Sequence, residues 1–530
     1  MNTSPPSIFT GYTANFGPIS SDTPIYLRQS VLGLYFSDQW RTTSRLTLNL
    51  GMRYEMSTVP TERYNRLATL SSLTAAAPTL GSPYFNNPTL LDFSPRVGFA
   101  WDPFGKGKTA VRGGFGIYDN LPLTYDFTLL SLNAAPFFQT GTISSGLNGK
   151  FPNQAASLLT PATQKEAFVQ QNPGRMYVMQ WNFNIQHDLG WGLVGTAGYN
   201  GSHGVHQPSR ANDENIVLPT SFLPNGTPVW PFPKGSGARQ DPNVGAVDSI
   251  IWNGSSIYHA MLLNLTRQQK KGVRIGASYT WSKSIDDSSS TVGGSNFNNS
   301  LVSPWIQFPG LFRGLSDFDQ RYNFTGNVLW EVPTPATSGF VRTLSSGWQI
   351  SGIYRIAAGL PFTPTIGGDP LGLRNSNAFG LPDRKSTPNC QSLVNPGNPN
   401  HYIKTECFTL PTAPAGVACT AFAAQAGTCS NLLGNSRRNV AIGPGVTTLD
   451  MSLAKSTHLG ERVTLQLRFE AFNVLTHANF RTPDRTVAQL FNVNGTSLAP
   501  AIFGGTGNAG VITSTSTTSR QLQLAMKVIF

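Results

Sequence analysis

Four cysteines, Cys390, Cys407, Cys419 and Cys429, crowd into one stretch of a 530-residue chain that has no others. Thiols either ligate zinc or pair as disulfides, and the two chemistries want different spacings. Zinc would want closer C-x-x-C pairs, whereas these separations suit staples across a loop in an oxidising compartment. Three pairings are open, and Cys390 with Cys407 plus Cys419 with Cys429 is preferred because each closes the shorter loop. His203 and His206, in GSHGVH, are the right type for a metal, but no Cys, Asp or Glu nearby completes a set, which favours structural loop histidines. Asp286 and Asp287 follow Ser284 at a strand exit; Ca2+ would suit them, though a solvated loop mouth is the reading preferred. Gly107, Lys108 and Thr109 echo the end of a phosphate-binding loop, yet Asp102 stands where that loop needs a glycine. FGKGK reads instead as a hairpin turn whose glycines supply positive φ. No Ser, His and acid constellation suggests a nucleophile, so neither an enzyme nor a cofactor nor a metal site is expected.

The elements that would carry these residues are strands. From Arg45 to Tyr54, Leu46, Leu48, Leu50, Met52 and Tyr54 share one face while Thr47, Asn49, Gly51 and Arg53 share the other, because successive side chains point to opposite faces. The pattern recurs in candidate strands near 28–40, 44–56, 92–103, 108–120, 174–188, 191–203, 256–269, 272–285, 318–331, 346–358, 446–458, 462–475 and 520–530. Polar faces carry Arg53, Arg112, Arg355, Arg468 and Glu470, which a dry sandwich core would not accept unpaired. A hydrated lumen would. Tyr35, Phe36, Trp40, Trp101, Phe104, Trp191, Trp281 and Trp330 are read as aromatic girdles near strand ends.

The connections sort by parity. Short ones fall at Arg41–Thr43, Phe104–Gly107, Leu189–Gly190, Lys270–Lys271, Glu331–Ser345 and Leu459–Glu461. Long ones fall at 57–91, 121–173, 204–255, 286–317, 359–445 and 476–519. Strict alternation of this kind predicts an antiparallel transmembrane β-barrel with short periplasmic turns and long extracellular loops, placed in the outer membrane of a Gram-negative bacterium. On that polarity the first and last strands run inward, so the about thirteen strands in 28–530 form part of a barrel, with residues 1–27 the remnant of an extracellular loop. No secretory signal precedes them, which suggests the C-terminal part of a longer precursor. Composition agrees: charged residues are only 12%, no apolar run is long enough for a spanning helix, and mean hydropathy is slightly negative. The net charge of +12 comes without a dense basic run, so it is read as loop and lumen charge rather than a nucleic-acid surface. The final RQLQLAMKVIF ends on Phe530, in phase with Leu522, Leu524, Met526 and Val528.

Several stretches resemble the Oar-like, OmpA-related TonB-dependent receptors: YFSDQWRTTSRLTLNLGMRYE (35–55), FSPRVGFAWDPFGKGKTAVRGGFGIYDN (93–120), QWNFNIQHDL with GYNGSHGVH (180–206), SYTWSKSIDDSS (278–289), FDQRYNFTGNVLWEVP (318–333), GWQISGIYRIAAGLPFT (347–363) and LRFEAFNVLTHANF (467–480). The resemblance implies a barrel of roughly 22 strands, fed by a plug and a TonB box that lie outside this chain. It implies outer-membrane lipid as surroundings, the TonB complex as energy source, and an unidentified ligand bound and imported. It also implies barrel-assembly machinery that reads Phe530. The rival expectations are a surface adhesin or structural barrel without transport, and a secreted soluble β-protein such as a lectin.

Overall fold

The computed structural model describes residues 25–124, 126, 134–137, 164–411, 433–489 and 508–530, apart from 82, 232–235, 271, 290–301, 335–338, 368, 376–377 and 460–461, together with the backbone of short strands at 12–16, 139–143, 492–493, 497–498 and 502–503. Thirteen strands run in sequence order across one sheet: β1 (Val31–Arg41), β2 (Leu46–Ser57), β3 (Phe93–Trp101), β4 (Thr109–Asp119), β5 (Tyr177–Gly190), β6 (Leu193–Ala211), β7 (Val247–Lys270), β8 (Val273–Asp286), β9 (Tyr322–Glu331), β10 (Trp348–Ala357), β11 (Val446–His458), β12 (Thr464–Phe472) and β13 (Gln521–Ile529). Each pairs antiparallel with the next, so the sheet is an up-and-down meander with β1 and β13 as its edges. Two short strands bring the sheet to 15: Glu166–Val169 lies parallel to the start of β7, and Gly314–Leu315 pairs with the end of β8.

Register carries one face across the whole sheet. Leu48 pairs with Trp40 and Phe99, Met52 with Phe36, Phe115 with Val97 and Trp181, Tyr199 with Phe183 and Met261, Leu453 with Ile350 and Phe469, and Phe469 with Leu524. A slip of one residue at any interface would rotate that strand's apolar set to the wrong side. This apolar face is left uncovered, with Leu524 82% and Met526 71% exposed. A contiguous exposed apolar wall of this extent is what a bilayer, rather than water, accommodates. Phe93 and Trp101 bound it on β3, as Tyr322 and Trp330 do on β9. Eight residues separate each pair, or roughly 27 Å of strand at about 3.4 Å per residue, close to the apolar band of about 25 Å that such barrels present. Tyr35 departs from the expected girdle. It lies mid-strand and pairs with Arg53 on the polar face, while its neighbour Phe36, also mid-strand, faces the apolar side.

The short turns form at or close to the expected places; between β5 and β6 the turn falls at Trp191–Gly192, with φ of 55° and 79°, two residues beyond the expected Leu189–Gly190. In the turn between β3 and β4, Gly105 and Gly107 adopt φ of 67° and 66°, and the Asp102 carboxylate accepts the N–H groups of Phe104, Gly105 and Gly107 at 3.3, 2.9 and 2.8 Å. The connection from Glu331 to Ser345 contains a helix that periodicity did not predict, α1 (Gly339–Ser345). The long connection expected over 204–255 is shorter than predicted, because β6 continues to Ala211 and β7 begins at Val247. A bulge at Gly204/Gln207, with His206 at φ 50°, lets the ladder resume at Pro208 and Trp252. At about 3.4 Å per residue the 24-residue β7 is on the order of 80 Å long, well beyond the roughly 9 to 11 residues that span a bilayer. Its first third therefore stands outside the wall and joins the long loops.

Candidate functional site

Two regions lie where a ligand would meet the chain: the polar face of the sheet and the folded loops at its long-connection end. Register places Arg53, Arg112, Arg355, Arg468 and Glu470 together on the polar face. Arg53 reaches Glu55 at 2.6 Å, Arg112 donates to Gln186 at 2.8 Å, and Arg355 makes a long contact of 3.5 Å to Asn323. Arg468 lies 3.5 Å from Glu470 and donates to Gln466 at 3.1 Å, so Arg468 and Glu470 pair along one strand. Arg96, which no local sequence pattern singles out, joins this face, and its guanidinium stacks 4.4 Å above the Tyr118 ring. Arg53, Arg96, Tyr118, Asn49, Gln180 and Asn182 line a concavity of about 420 Å³. Its floor is backbone, because Gly51, Gly98, Gly114 and Gly116 carry no side chains there. The signal was present as glycines recurring on the polar phase of β2 to β4. Guanidinium and amide donors over exposed backbone suit an anionic or oxygen-rich surface.

Among the described residues, the long loops form three apolar cores. One packs Leu67, Tyr84, Phe85, Met176, Ile250 and Trp252. A second gathers Ile216, Trp230, Trp305, Phe312, Leu373 and Phe379. The third holds Phe362, Tyr402, Ile403, Phe408 and Val487 around a disulfide between Cys390 and Cys407, with Cα atoms 5.4 Å apart. Cys419 and Cys429 lie outside the described residues.

Ion pairs fix where loops meet strands. Arg438, its side chain fully buried, bonds both Asp286 and Asp317, the latter at 2.7 Å, and lies 5.1 Å from the Phe312 ring centre. Arg313 takes Asp287 at 2.8 Å. Asp286 and Asp287 are thus 3% and 7% exposed, which corrects the expectation of a solvated acidic mouth: these carboxylates are buried against arginines. Arg175 bridges Asp92 and Asp119 at 3.2 and 2.8 Å. His203 and His206 sit in β6 rather than in a loop, and their Nδ1 atoms meet the carbonyls of Ser256 and Arg175, each at 2.9 Å. Among the described residues no three His, Cys, Asp or Glu side chains gather as a metal site would need.

Burial sets the protonation of the loop carboxyls. It pushes Glu214 up to about 8 and Glu166 up to about 7. Asp92 also rises to about 7, through burial and the nearby Asp119 charge, against the pull of Arg175. Glu62 goes the other way. Burial would raise it, but hydrogen bonds from Arg66, Tyr26 and Tyr64 hold it down at about 2.

A family model described as outer membrane beta barrel domain matches residues 4–523. No curated protein matches the chain. Among solved structures, the chain is similar to the outer membrane transporter YddB from Escherichia coli at 11% identity and a TM-score of 0.45, covering 94% of this chain and 45% of that one. The FrpB iron transporter from Neisseria meningitidis (F3-3 variant) is matched at 10% identity and a TM-score of 0.40, over 96% of this chain and 46% of that one. For the siderophore receptor PiuA from Acinetobacter baumannii the values are 10% and 0.40, over 95% and 43%. The chain spans less than half the length of each of these proteins.

Proposed function

Because the chain belongs to the outer membrane beta barrel domain family and lies in the outer membrane of a Gram-negative bacterium, we propose that it is the barrel wall of a TonB-dependent receptor of the Oar-like type. In this reading residues 28–530 form the wall, residues 1–27 belong to an extracellular loop, and the long loops capture a ligand that the lumen then passes inward. The observation that carries it is the continuity of the two faces: one apolar face across thirteen strands, and behind it a polar face that holds the concavity lined by Arg53 and Arg96. We assign the wall around Arg53 and Arg96 to contact with a plug, which would move when the TonB complex pulls on it.

The test is ligand uptake by cells carrying the receptor, with and without a working TonB complex. Uptake that disappears without TonB supports import. Capture of a ligand or partner at the surface with no TonB-dependent entry would instead assign the chain to adhesion.

A further inference from the structure

Helix α1 breaks the pattern of bare short turns. It stands at the periplasmic rim of the wall, and Phe340, Val341 and Leu344 are 80%, 64% and 59% exposed. A seven-residue helix is marginal in water on its own. Here it is tied down from the apolar wall. Lys455, whose register partner on β10 is Trp348, sends its ammonium up to the carbonyls of Thr343, at 2.7 Å, and Ser346, satisfying carbonyls that the end of a helix leaves open. The same ammonium lies 5.8 Å from the Trp348 ring centre, and Trp348 Nε1 donates to the Leu344 carbonyl at 2.8 Å. Gly347, at φ 70°, brings the turn against β11, where a Cβ would collide with the Ser456 carbonyl.

Between this helix and the outer face of β10 to β13 lies a groove of about 720 Å³, walled by Phe340, Leu344, Leu453, Leu467, Phe469 and Met526. The groove is continuous with the membrane-facing wall, and Lys455 lines it. Arg342 on α1 and Arg462 in the turn between β11 and β12 are exposed, both at the short-turn end of the sheet where the groove lies. The acid at the end of β9, Glu331, pairs with Gln349 and so falls on the polar face, away from these cations.

We propose that α1 and the wall beneath it form a binding site for one anionic phospholipid of the periplasmic leaflet. An acyl chain fills the groove, and the phosphate sits among Lys455, Arg342 and Arg462. Lipid is the occupant that the continuity with the apolar wall and the positive charge of these three side chains together select, since an apolar slot alone would serve a protein segment equally.

The experiment places the photo-crosslinking residue benzoyl-phenylalanine at position 340 in the full chain, reconstituted in phosphatidylethanolamine nanodiscs with and without phosphatidylglycerol. Retained lipid is read by native mass spectrometry for the parent and for Lys455→Gln, Arg342→Gln and Arg462→Gln. Heat-modifiable gel mobility confirms that each variant is a folded barrel. The expected result is a cross-link to phospholipid, preferential retention of phosphatidylglycerol, and loss of that preference by roughly five-fold for each cation removed. Cross-linking to a second copy or to another protein, or equal retention of the two lipids, would overturn the proposal. Neither result bears on whether the receptor imports a ligand, so the two readings fail separately.

Discussion

Arg438 holds the loop mouth to the wall through two carboxylates, and its worth lies in what its removal would leave behind. Asp286 and Asp317 are each under 5% exposed, so Arg438→Met strands two buried charges and should cost about 3–5 kcal/mol. Hydrogen exchange across 433–445 and 314–319 would report this as loss of protection; unchanged protection would mean the pair is incidental. Glu214 gives the mouth a pH dependence. Gln307 donates to its carboxylate at 3.3 Å from the backbone and 2.8 Å from the side chain, but burial dominates and raises its pKa from 4.5 to about 8. A carboxyl raised by folding stabilises the fold while protonated: fully below about 4.5, less as pH climbs, and not at all above about 8. Limited proteolysis of 212–246 should therefore be slower at about pH 5 than at about pH 8.5, and Glu214→Gln should flatten the difference. Glu62 acts in the opposite window, holding its part of the mouth above about 4.5 and releasing it as pH falls toward 2. At this scale the sequence showed which arginines share the polar face, because period-two alternation fixes a face. It did not show Arg438 or its role. Its partners lie 152 and 121 residues away, and no local pattern encodes such a meeting.

The strands were legible because each repeats one rule and every register agrees with its neighbours. That agreement makes a sharp prediction. Leu467→Arg places a charge on the bilayer side of β12 and should cost about 2–4 kcal/mol in equilibrium unfolding from lipid, whereas Gln466→Arg, one residue away on the polar face, should be nearly neutral. Similar costs at the two positions would contradict the assignment of faces. The disulfide belongs to this scale as well. Its 17-residue separation implies about 3 kcal/mol from closing the loop in the unfolded chain, so Cys390→Ser should loosen the third apolar core, read as faster exchange over 388–408. Non-reducing mass spectrometry should also find the second pair we assign, Cys419 with Cys429, and free thiols there would refute it. What stayed hidden was irregular. The extension of β6 depends on His206 adopting φ 50° without a glycine to announce it, α1 is too short for helical periodicity to register, and the loop cores draw single residues from distant segments.

For the whole molecule, insertion and orientation are the quantities at stake. β13 ends at Ile529, and Phe530 beyond it is 91% exposed. A terminal aromatic so placed adds little packing, at most about 1.5–3 kcal/mol even if buried, so deleting Phe530 should lower the fraction reaching the outer membrane, through recognition by assembly machinery, more than it lowers stability. Equal insertion would make the ending an ordinary edge strand. The whole reading requires that this sheet cross the outer membrane with its long connections outside and its short turns inside. Epitope tags test it most directly, one within 212–246 and one in the turn at Phe104–Gly107, probed on intact cells and again after permeabilisation. The first tag should be detected on intact cells and the second only after permeabilisation. Detection of both tags only after permeabilisation, or of the turn tag alone on intact cells, would contradict that orientation.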